Sequence, residues 1–436
     1  MQKPIMEQLG TGYTQLNISA QSYRHLSQNT TVWGKAEFVS DKTRDVRWNN
    51  CIDYLRVAPY VLGDEVGGDL NSRRYSFNGG YAEKLGRFNI GLAADYRAEI
   101  AYRNRDPRLK TVVSDLSIRA GATYHVNSNY VLGFNSALNV YSQNCDLEFY
   151  NPINDINTYT LTGLGTWYQR FMGNTNKNSG YESFGLSAAL QFVSINHHGF
   201  MGNVIFNHYK MEEQLRNFNN ITLAYSNVNT ISAHFAYRLK LTDAVFFQPA
   251  LEVYNRSLLG TENLFGTSAG TSYDKIGSRS IYRHNTGRAS GFLSFQFRLG
   301  HHYCTLTPYT GFSFSDEEYI DPYRKLQTSH FSPGLQIAFS AISGKWLWEA
   351  SIDGSHSIAS AKEPILTGLD TTTPLAQCVT SNFNMLKADI TSIKSFLRIS
   401  KAIQKIVFDI TLNYSYFKFS RQADGYMASL SIGARF

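Results

Sequence analysis

Apolar and polar residues alternate along most of the chain with a period of two, which is the pattern of β-strands whose two faces meet different surroundings. The clearest example is the strand predicted over residues 88–102. Its apolar face carries Phe88, Ile90, Leu92, Ala94, Tyr96, Ala98, Ile100 and Tyr102, and its polar face carries Asn89, Asp95, Arg97 and Glu99. The segments 116–126, 406–416 and 426–436 repeat the pattern. The sequence therefore predicts an all-β protein built from two-faced strands.

Short turns and longer connections alternate between the predicted strands, as an up-and-down barrel requires. The short turns fall at 85–87, 127–129, 195–199, 242–244, 300–302, 343–345 and 401–404. The longer connections fall at 149–178, 216–225, 258–280, 316–326 and 362–381. This arrangement predicts one domain over residues 1–436, a single transmembrane antiparallel up-and-down β-barrel of about 18 strands. Single-chain bacterial barrels take even strand numbers, which argues against seventeen.

The segment 41–71 leaves two alternatives for the strand count. Its glycines permit tight backbone bends that a strand interior resists, and its carboxylates are costly against lipid. These residues are Gly63, Gly67, Gly68, Asp64, Glu65 and Asp69. We favour an extracellular hairpin loop, which gives eighteen strands and exposes Glu65. The alternative is sixteen strands with this N-terminal segment inside the lumen.

Composition supports strands rather than helices as the membrane-crossing elements. The chain is 43% hydrophobic and holds 28 tyrosines, but no run approaches the roughly 18 to 20 apolar residues that a membrane helix needs. The net charge of +7 is spread among carboxylates without a basic stripe, so we expect no nucleic-acid partner. No secretory signal precedes Gln2. Because an outer-membrane protein needs one, we expect the numbering to begin on a mature or truncated chain.

The final strand, which ends on Phe436, resembles the last strand of outer-membrane β-barrels, where the terminal aromatic is part of the assembly signal. Several runs also resemble a little-characterised family of outer-membrane barrels of the Bacteroidota. They are YVLGDEVGGDL at 60–70, YSFNGGYA at 75–82, Tyr96-Arg97-Ala98 followed by Asp106-Pro107-Arg108, LTGLG at 161–165 and GTENLFG at 260–266. The resemblance implies an outer-membrane location near TonB-dependent transporters and surface lipoproteins, and so favours nutrient uptake. It carries over no functional residues.

Charged residues gather on the predicted inward face of two neighbouring strands. They are Asp95, Arg97, Glu99, Asp115 and Arg119, and Arg238 and Arg298 are further lumen-lining candidates. Rings of charge set pore selectivity, so this group is one candidate for contact with a passing solute. The alternative, which we favour, is a salt-bridged lumen that stiffens the barrel or plugs it. The outward face is predicted to carry Ile90, Leu92, Ala94, Tyr96, Leu116, Ile118, Ala120 and Phe235.

The long connection 149–178 is rich in aromatic residues, and Trp167, Tyr168 and Phe171 are its candidate contact residues. Exposed aromatics on a long loop stack on sugars or dock a partner. The same side chains would equally suit packing into the mouth of the barrel. The sequence leaves both alternatives open.

Sites of chemistry are sparse. We predict no catalytic residues, no bound metal and no cofactor, and therefore no enzyme. The pairs His197-His198 and His301-His302 fall in predicted turns, and adjacent histidines on a strand point to opposite faces. Four cysteines, Cys51, Cys145, Cys304 and Cys378, lack any CxxC spacing, which excludes a zinc ribbon. A disulfide among Cys51, Cys145 and Cys378, all placed in predicted loops, stays open.

The leading hypothesis is an integral outer-membrane barrel, in contact with outer-membrane lipid and lipopolysaccharide. It would act as a channel or accessory subunit for nutrient uptake beside a TonB-dependent transporter. The first alternative is a closed structural or adaptor barrel that binds other outer-membrane proteins or lipoproteins. The second is an outer-membrane hydrolase.

Overall fold

The computed structural model describes residues 6–151, 153, 155–195, 198–269, 272–404, 406–420 and 424–435. Its helices are α1 (Tyr54–Val57) and α2 (Pro374–Leu386), with short 3-10 turns at Glu7–Leu9, Gln169–Phe171 and Arg216–Phe218. Its strands are β1 (Gly12–His25), β2 (Thr30–Val46), β3 (Val61–Asp64), β4 (Gly68–Leu85), β5 (Phe88–Tyr102), β6 (Arg108–His125), β7 (Tyr130–Glu148), β8 (Thr158–Gly163), β9 (Thr166–Trp167), β10 (Lys177–Ser194), β11 (Gly199–Leu215), β12 (Ile221–Lys240), β13 (Val245–Ala269), β14 (Ser272–Leu299), β15 (His302–Tyr319), β16 (Arg324–Ser343), β17 (Trp346–Ala361), β18 (Ile365–Leu366), β19 (Ile390–Ile403), β20 (Ile406–Phe419) and β21 (Gly425–Arg435). Phe436 and His197 lie outside the described residues.

None of the helices in the described ranges has the length and apolar character to cross a membrane.

Among the described residues, eighteen strands form one antiparallel sheet, which confirms the predicted all-β fold and strand number. One of them, β18, has only two residues and pairs with the start of β16. The long strands are therefore odd in number, contrary to the parity expectation, so β1 and β21 run in the same direction. Within the described residues β1 pairs with β2 and β21 with β20. The Tyr13 hydroxyl donates a hydrogen bond to Met427 Sδ across the seam between them (2.6 Å).

The connections alternate between a short-turn end and a long-connection end, as predicted. The predicted long connection at 258–280 is wrong, because β13 and β14 continue pairing as far as Ala269 and Ser272. Their ladder shifts register near Gly260 and again near Phe265. These irregularities interrupt the strict alternation that marks a strand in the sequence, which is why the extension was not predicted.

The outward face of the sheet is apolar along the strands that were predicted most clearly. Leu92 on β5 is 56% exposed and lies opposite Ala120 on β6, which shares its face. The remaining residues predicted to face outward lie on the same side, with Leu116 and Phe235 half-buried. Ile90, Ala94, Tyr96, Ile118 and Ala120 are exposed.

The segment 41–71 differs from the favoured prediction. Its ends form the hairpin β2–β4, paired up to Val46 and Gly68, but residues 47–67 between them fold into the lumen. Leu62 is fully buried there. Glu65 is exposed, as expected of the loop, and so is Asp69 at the base of β4, whereas Asp64 is buried. The eighteen-strand sheet and the inward segment coexist because different parts of 41–71 form them.

We predict that Leu92→Arg lowers the free energy of unfolding in phospholipid vesicles by about 2 to 4 kcal/mol, because it places a charge on the outward apolar face at mid-strand. Ser117→Arg is the matched control, since Ser117 lies on β6 on the opposite face, across from Asp95. Its cost should be clearly smaller. Equal costs in urea titrations of the two variants would show that the outward face does not meet hydrocarbon.

Candidate functional site

Three inward segments fill the lumen at its long-connection end, and we call them together the plug: residues 47–67, 158–171 and 374–386. The strands β3 and β8 pair within it, Val61 opposite Leu161 and Asp64 opposite Thr158. All three segments contribute to one buried cluster of Trp48, Leu161, Leu375 and Cys378. The plug is therefore a small folded layer rather than three independent loops.

A network of ion pairs joins the first plug segment to the wall strands β5, β6 and β7. Arg97 donates to both carboxylate oxygens of Asp53, at 3.0 Å for Oδ1, and Tyr141 donates its hydroxyl to Asp53 Oδ2 at 2.9 Å. Arg56 reaches in the other direction, to Asp115 Oδ2 at 3.0 Å, with its guanidinium 3.9 Å from the centre of the Tyr141 ring. Each partner is mostly buried, so solvent screens these contacts little.

The five charges grouped by the sequence therefore lie together. Glu99 accepts from Arg97 at 3.2 Å, and Arg119 pairs with Asp95 within the wall. The plug supplies the counter-ions Asp53 and Arg56, which adjacent-strand reasoning missed because they lie more than 40 residues away from their partners. Of the two alternatives for these charges, contact with a passing solute or a salt-bridged lumen, the arrangement matches the salt-bridged lumen.

A second, fully buried ion pair fixes the exit of the first plug segment. Arg103 Nη2 donates to Asp64 Oδ2 at 2.7 Å and to the Pro107 carbonyl at 2.6 Å. The other oxygen of Asp64 accepts the Gly67 amide at 2.7 Å. Because every polar atom of the carboxylate has a donor, the charge is tolerated away from water. Asp69, at the base of β4, is also bound to a protein partner, since Lys42 lies 2.8 Å from its carboxylate.

Three of the runs quoted for the family resemblance, those at 60–70, 161–165 and 260–266, meet at the plug. Tyr60 packs against Gly260 so closely that a Cβ at 260 would lie 2.4 Å from the Tyr60 hydroxyl oxygen. A Cβ at Gly63 would lie 2.8 Å from the backbone of Trp48. Glycine is required at both positions by this close approach. Burial, followed by the nearby charge of Glu262, raises the pKa of Tyr60, so its phenol stays protonated.

The aromatic residues of the connection 149–178 pack into the mouth of the barrel. Phe171 is 2% exposed and contacts the rings of Phe218, Phe265 and Tyr273. Tyr168 donates its hydroxyl to the Leu223 carbonyl at 2.6 Å. Trp167 lies edge-on to Tyr159 with 5.6 Å between ring centres. These side chains therefore pack into the mouth of the barrel, which is the second of the two alternatives, and do not form an exposed surface for a sugar or a partner.

Arg238 and Arg298 lie away from the plug. Arg238 is near the short-turn end, where it donates to Gln296 Oε1 at 2.9 Å and its guanidinium lies 5.0 Å from the centre of the Phe246 ring. Arg298 donates to the carbonyl of Gly300 in the adjacent turn at 3.3 Å. The structure therefore separates these two arginines from the other five lumen candidates.

Several cavities lie along the lumen, among them one of about 440 Å³ beside the wall residues Asp95, Arg97 and Asp115. The vestibule, about 390 Å³, sits against the plug and is mostly apolar, and its polar lining includes Gln8, Thr166, Arg256, His284, Glu317 and Asn382. The lower chamber, about 810 Å³, lies further toward the short-turn end, where Phe292, Phe312, Phe396 and Met427 share its lining with a larger number of hydroxyl, amide and charged groups. These include Glu252, Arg288, Ser290, Gln336, Ser351, Asp353, Lys394, Asn413 and Ser415. The lumen thus holds a mainly polar chamber toward the short-turn end and packed protein toward the long-connection end.

The chain belongs to the family of unknown function DUF6850, whose model matches residues 2–436. No curated protein matches it in sequence. Similar solved structures include the copper transporter OprC, with 11% identity and a TM-score of 0.49 over 94% of this chain and 62% of OprC. The ferric yersiniabactin uptake receptor FyuA from Yersinia pestis has 10% identity and a TM-score of 0.46, over 97% and 72%. The ferric-catecholate import receptor Fiu from E. coli K12 has 10% identity and a TM-score of 0.45, over 96% and 74%.

We predict that Arg97→Gln accelerates amide hydrogen exchange at residues 50–57 by about tenfold or more, because it removes the charged partner that holds Asp53 against the wall. Arg119→Gln is the matched control, since Arg119 also faces the lumen but its ion pair is with Asp95 in the wall. The control should leave exchange in the plug at the wild-type rate. Equal protection in both variants would mean that the Arg97 contact does not hold the plug.

We also predict that Arg103→Met lowers the free energy of unfolding by about 3 to 5 kcal/mol, because Asp64 is left as an unpaired buried charge. Lys42→Ala, which breaks the exposed pair with Asp69, should cost about 1 kcal/mol or less. Adding Asp64→Asn to Arg103→Met should recover part of the loss. A cost for Arg103→Met no larger than for Lys42→Ala, in urea titrations, would contradict the buried-pair argument.

Proposed function

We propose that this member of the DUF6850 family is an integral outer-membrane β-barrel that passes a small nutrient, beside a TonB-dependent transporter and surface lipoproteins. The observation that carries the proposal is the polar lower chamber, about 810 Å³, beneath a plug made from the chain's own connections. The apolar outward faces of β5 and β6 support the membrane location. The proposal assigns no chemical reaction to the chain.

The lining of the lower chamber favours an uncharged or zwitterionic polar solute. Opposite charges neighbour one another there, with Asp353 on β17 directly across from Lys394 on β19. Glu252 and Arg288 add a further charge of each sign. Because neither sign dominates, the chamber lacks the single-sign ring that selects cations or anions. Serine hydroxyls between the charges would replace hydration contacts of a sugar-like or amino-acid-like solute.

Passage requires the plug to move, since packed side chains occlude the lumen above the chamber. The first plug segment can be removed without breaking the sheet, because Val46 and Gly68 already pair at the base of its hairpin. We therefore predict that the wild-type protein is nearly silent in planar bilayers. A variant in which a four-residue turn replaces residues 47–67, which we call the plug-deleted variant although it lacks only the first plug segment, should show stable conductance steps.

Arg119→Gln is the control for this experiment, because it changes a lumen charge without a plug contact, and it should remain silent. Retention of the fold is checked by heat-modifiable migration in gels. Liposomes carrying the plug-deleted variant should admit small neutral sugars faster than anions of the same size. A folded barrel that stays silent even after residues 374–386 are replaced as well would overturn the channel function, because that segment also packs in the lumen.

The alternative of a closed adaptor barrel is favoured by one observation, the completeness of the plug contacts at Asp53 and Asp64. An adaptor barrel binds its partner proteins whether or not any solute passes through its lumen. Purification from native membranes in mild detergent separates the two functions. Stoichiometric recovery of a transporter or lipoprotein with a wild-type protein whose plug-deleted form is also silent would favour the adaptor.

A further inference from the structure

Two cysteines meet at the boundary between the plug and the barrel wall. Cys51 lies in the first plug segment and Cys145 on β7, and their Sγ atoms are 3.8 Å apart. Cys51 is 1% exposed and Cys145 is fully buried. The prediction that Cys145 lies in a loop is wrong, because β7 extends to Glu148. The strand places the Cys145 thiol inside the lumen, facing the plug.

The backbone on each side of Cys51 is fixed against the wall. The Ile52 amide donates to Gln143 Oε1 at 3.0 Å, and Gln143 is two residues before Cys145 on the same strand face. On the other side, Thr111 Oγ1 donates to the Asn50 carbonyl at 3.0 Å, and Thr111 lies directly opposite Cys145 on β6. Both anchors hold Cys51 over Cys145 without any bond between the sulfurs.

The other two cysteines have different surroundings. Cys378 on α2 contacts the side-chain amides of Gln8 and Asn382. Cys304 lies half-buried on β15. Of the four cysteines, only Cys51 and Cys145 have their sulfur atoms in mutual contact.

We propose that Cys51 and Cys145 form a disulfide bond that staples the plug to the barrel wall. A disulfide has an S–S distance of about 2.05 Å, so the sulfurs need to approach by less than about 2 Å. Rotation of the two side chains supplies this approach while the anchored backbone stays in place. The bridge would join residues 94 positions apart in the chain.

The oxidant for this step is a disulfide-bearing thiol oxidase or small disulfide of the cell envelope. The Cys145 thiolate attacks one oxidant sulfur, which releases the other as a thiolate and leaves a mixed disulfide. The Cys51 thiolate then attacks the Cys145 sulfur, which forms the bridge and releases the second oxidant thiolate. The two protons lost by the cysteines pass to the two released thiolates, and two electrons move to the oxidant. Burial raises the pKa of Cys51, so the exchange takes place before the plug closes over it.

The bridge rests on the proposed cell-envelope location for its oxidant, but not on whether the lumen conducts. A stapled first segment cannot leave the lumen as a unit, so any opening would involve the remaining plug segments or follow reduction. The bridge would also oppose local unfolding of residues 47–67.

The test has two arms. The full chain is isolated from outer membranes of a Gram-negative host with N-ethylmaleimide present, and is separately refolded in detergent with oxidised and reduced glutathione. Non-reducing digests analysed by mass spectrometry should show a linked peptide pair carrying Cys51 and Cys145 in both samples, with Cys304 and Cys378 alkylated. Four alkylated cysteines, or a link to Cys378, in correctly refolded protein would overturn the proposal. A link in the refolded chain alone supports the pairing and counts against the proposed location.

A second measurement separates a staple from a merely close pair. Reduction should lower the thermal midpoint of the wild-type protein and of Cys304→Ala, and should leave that of Cys51→Ala/Cys145→Ala unchanged. Hydrogen exchange in residues 50–57 should rise on reduction in the same two proteins. A wild-type midpoint that does not respond to reduction, despite complete loss of the link, would overturn the role of the bridge as a staple.

Discussion

The constraint on which this structure depends is that a strand against an apolar environment must pair all its backbone groups with its neighbours. Pairing fixes the register, and the register fixes which side chains point outward. On β5 and β6 this places Leu92 beside Ala120 on the outside and Asp95 beside Ser117 inside. The polar interior, the turns and the long connections all follow from satisfying that ladder. The seam between β1 and β21, spanned by the Tyr13 contact to Met427, is where the ladder is incomplete among the described residues.

A sheet of this size encloses more space than its own inward side chains fill, so the lumen must hold either solvent or further protein. In this chain, one half of the lumen holds a chamber and the other half holds the plug. Near the short turns the inward face is rich in serine and paired charges and leaves an 810 Å³ chamber. Near the long connections, the plug pairs Asp53 with Arg97, Arg56 with Asp115 and Asp64 with Arg103. The half of the lumen that the plug fills is therefore the half in which its charges have partners.

The parts of the fold that could be predicted are those set by residues close together in the sequence. The strand β5 and its turns were evident from alternation, because a period of two reports both faces of a strand directly. The inward course of 47–67 was not, since the partner of Asp64 is Arg103, 39 residues away in the sequence. The long β13–β14 hairpin was missed because its bulges break the period. The lumen charges Arg97 and Asp115 could be grouped from neighbouring strands, but their counter-ions on the plug could not.

The three plug segments are attached to the wall by contacts of unequal strength. The first is held by the partly exposed ion pairs of Asp53 and Arg56 and by the buried pair of Asp64 with Arg103. Separating the buried pair leaves an unpaired charge at a cost of about 3 to 5 kcal/mol. The segment 374–386 is held mainly by apolar packing of Leu375 and Phe383. Its polar contacts include those of Asn382 with residues 7 and 8, neutral hydrogen bonds worth about 1 kcal/mol each. Since α2 also lines the vestibule, a segment that costs less to displace than the first one borders that cavity.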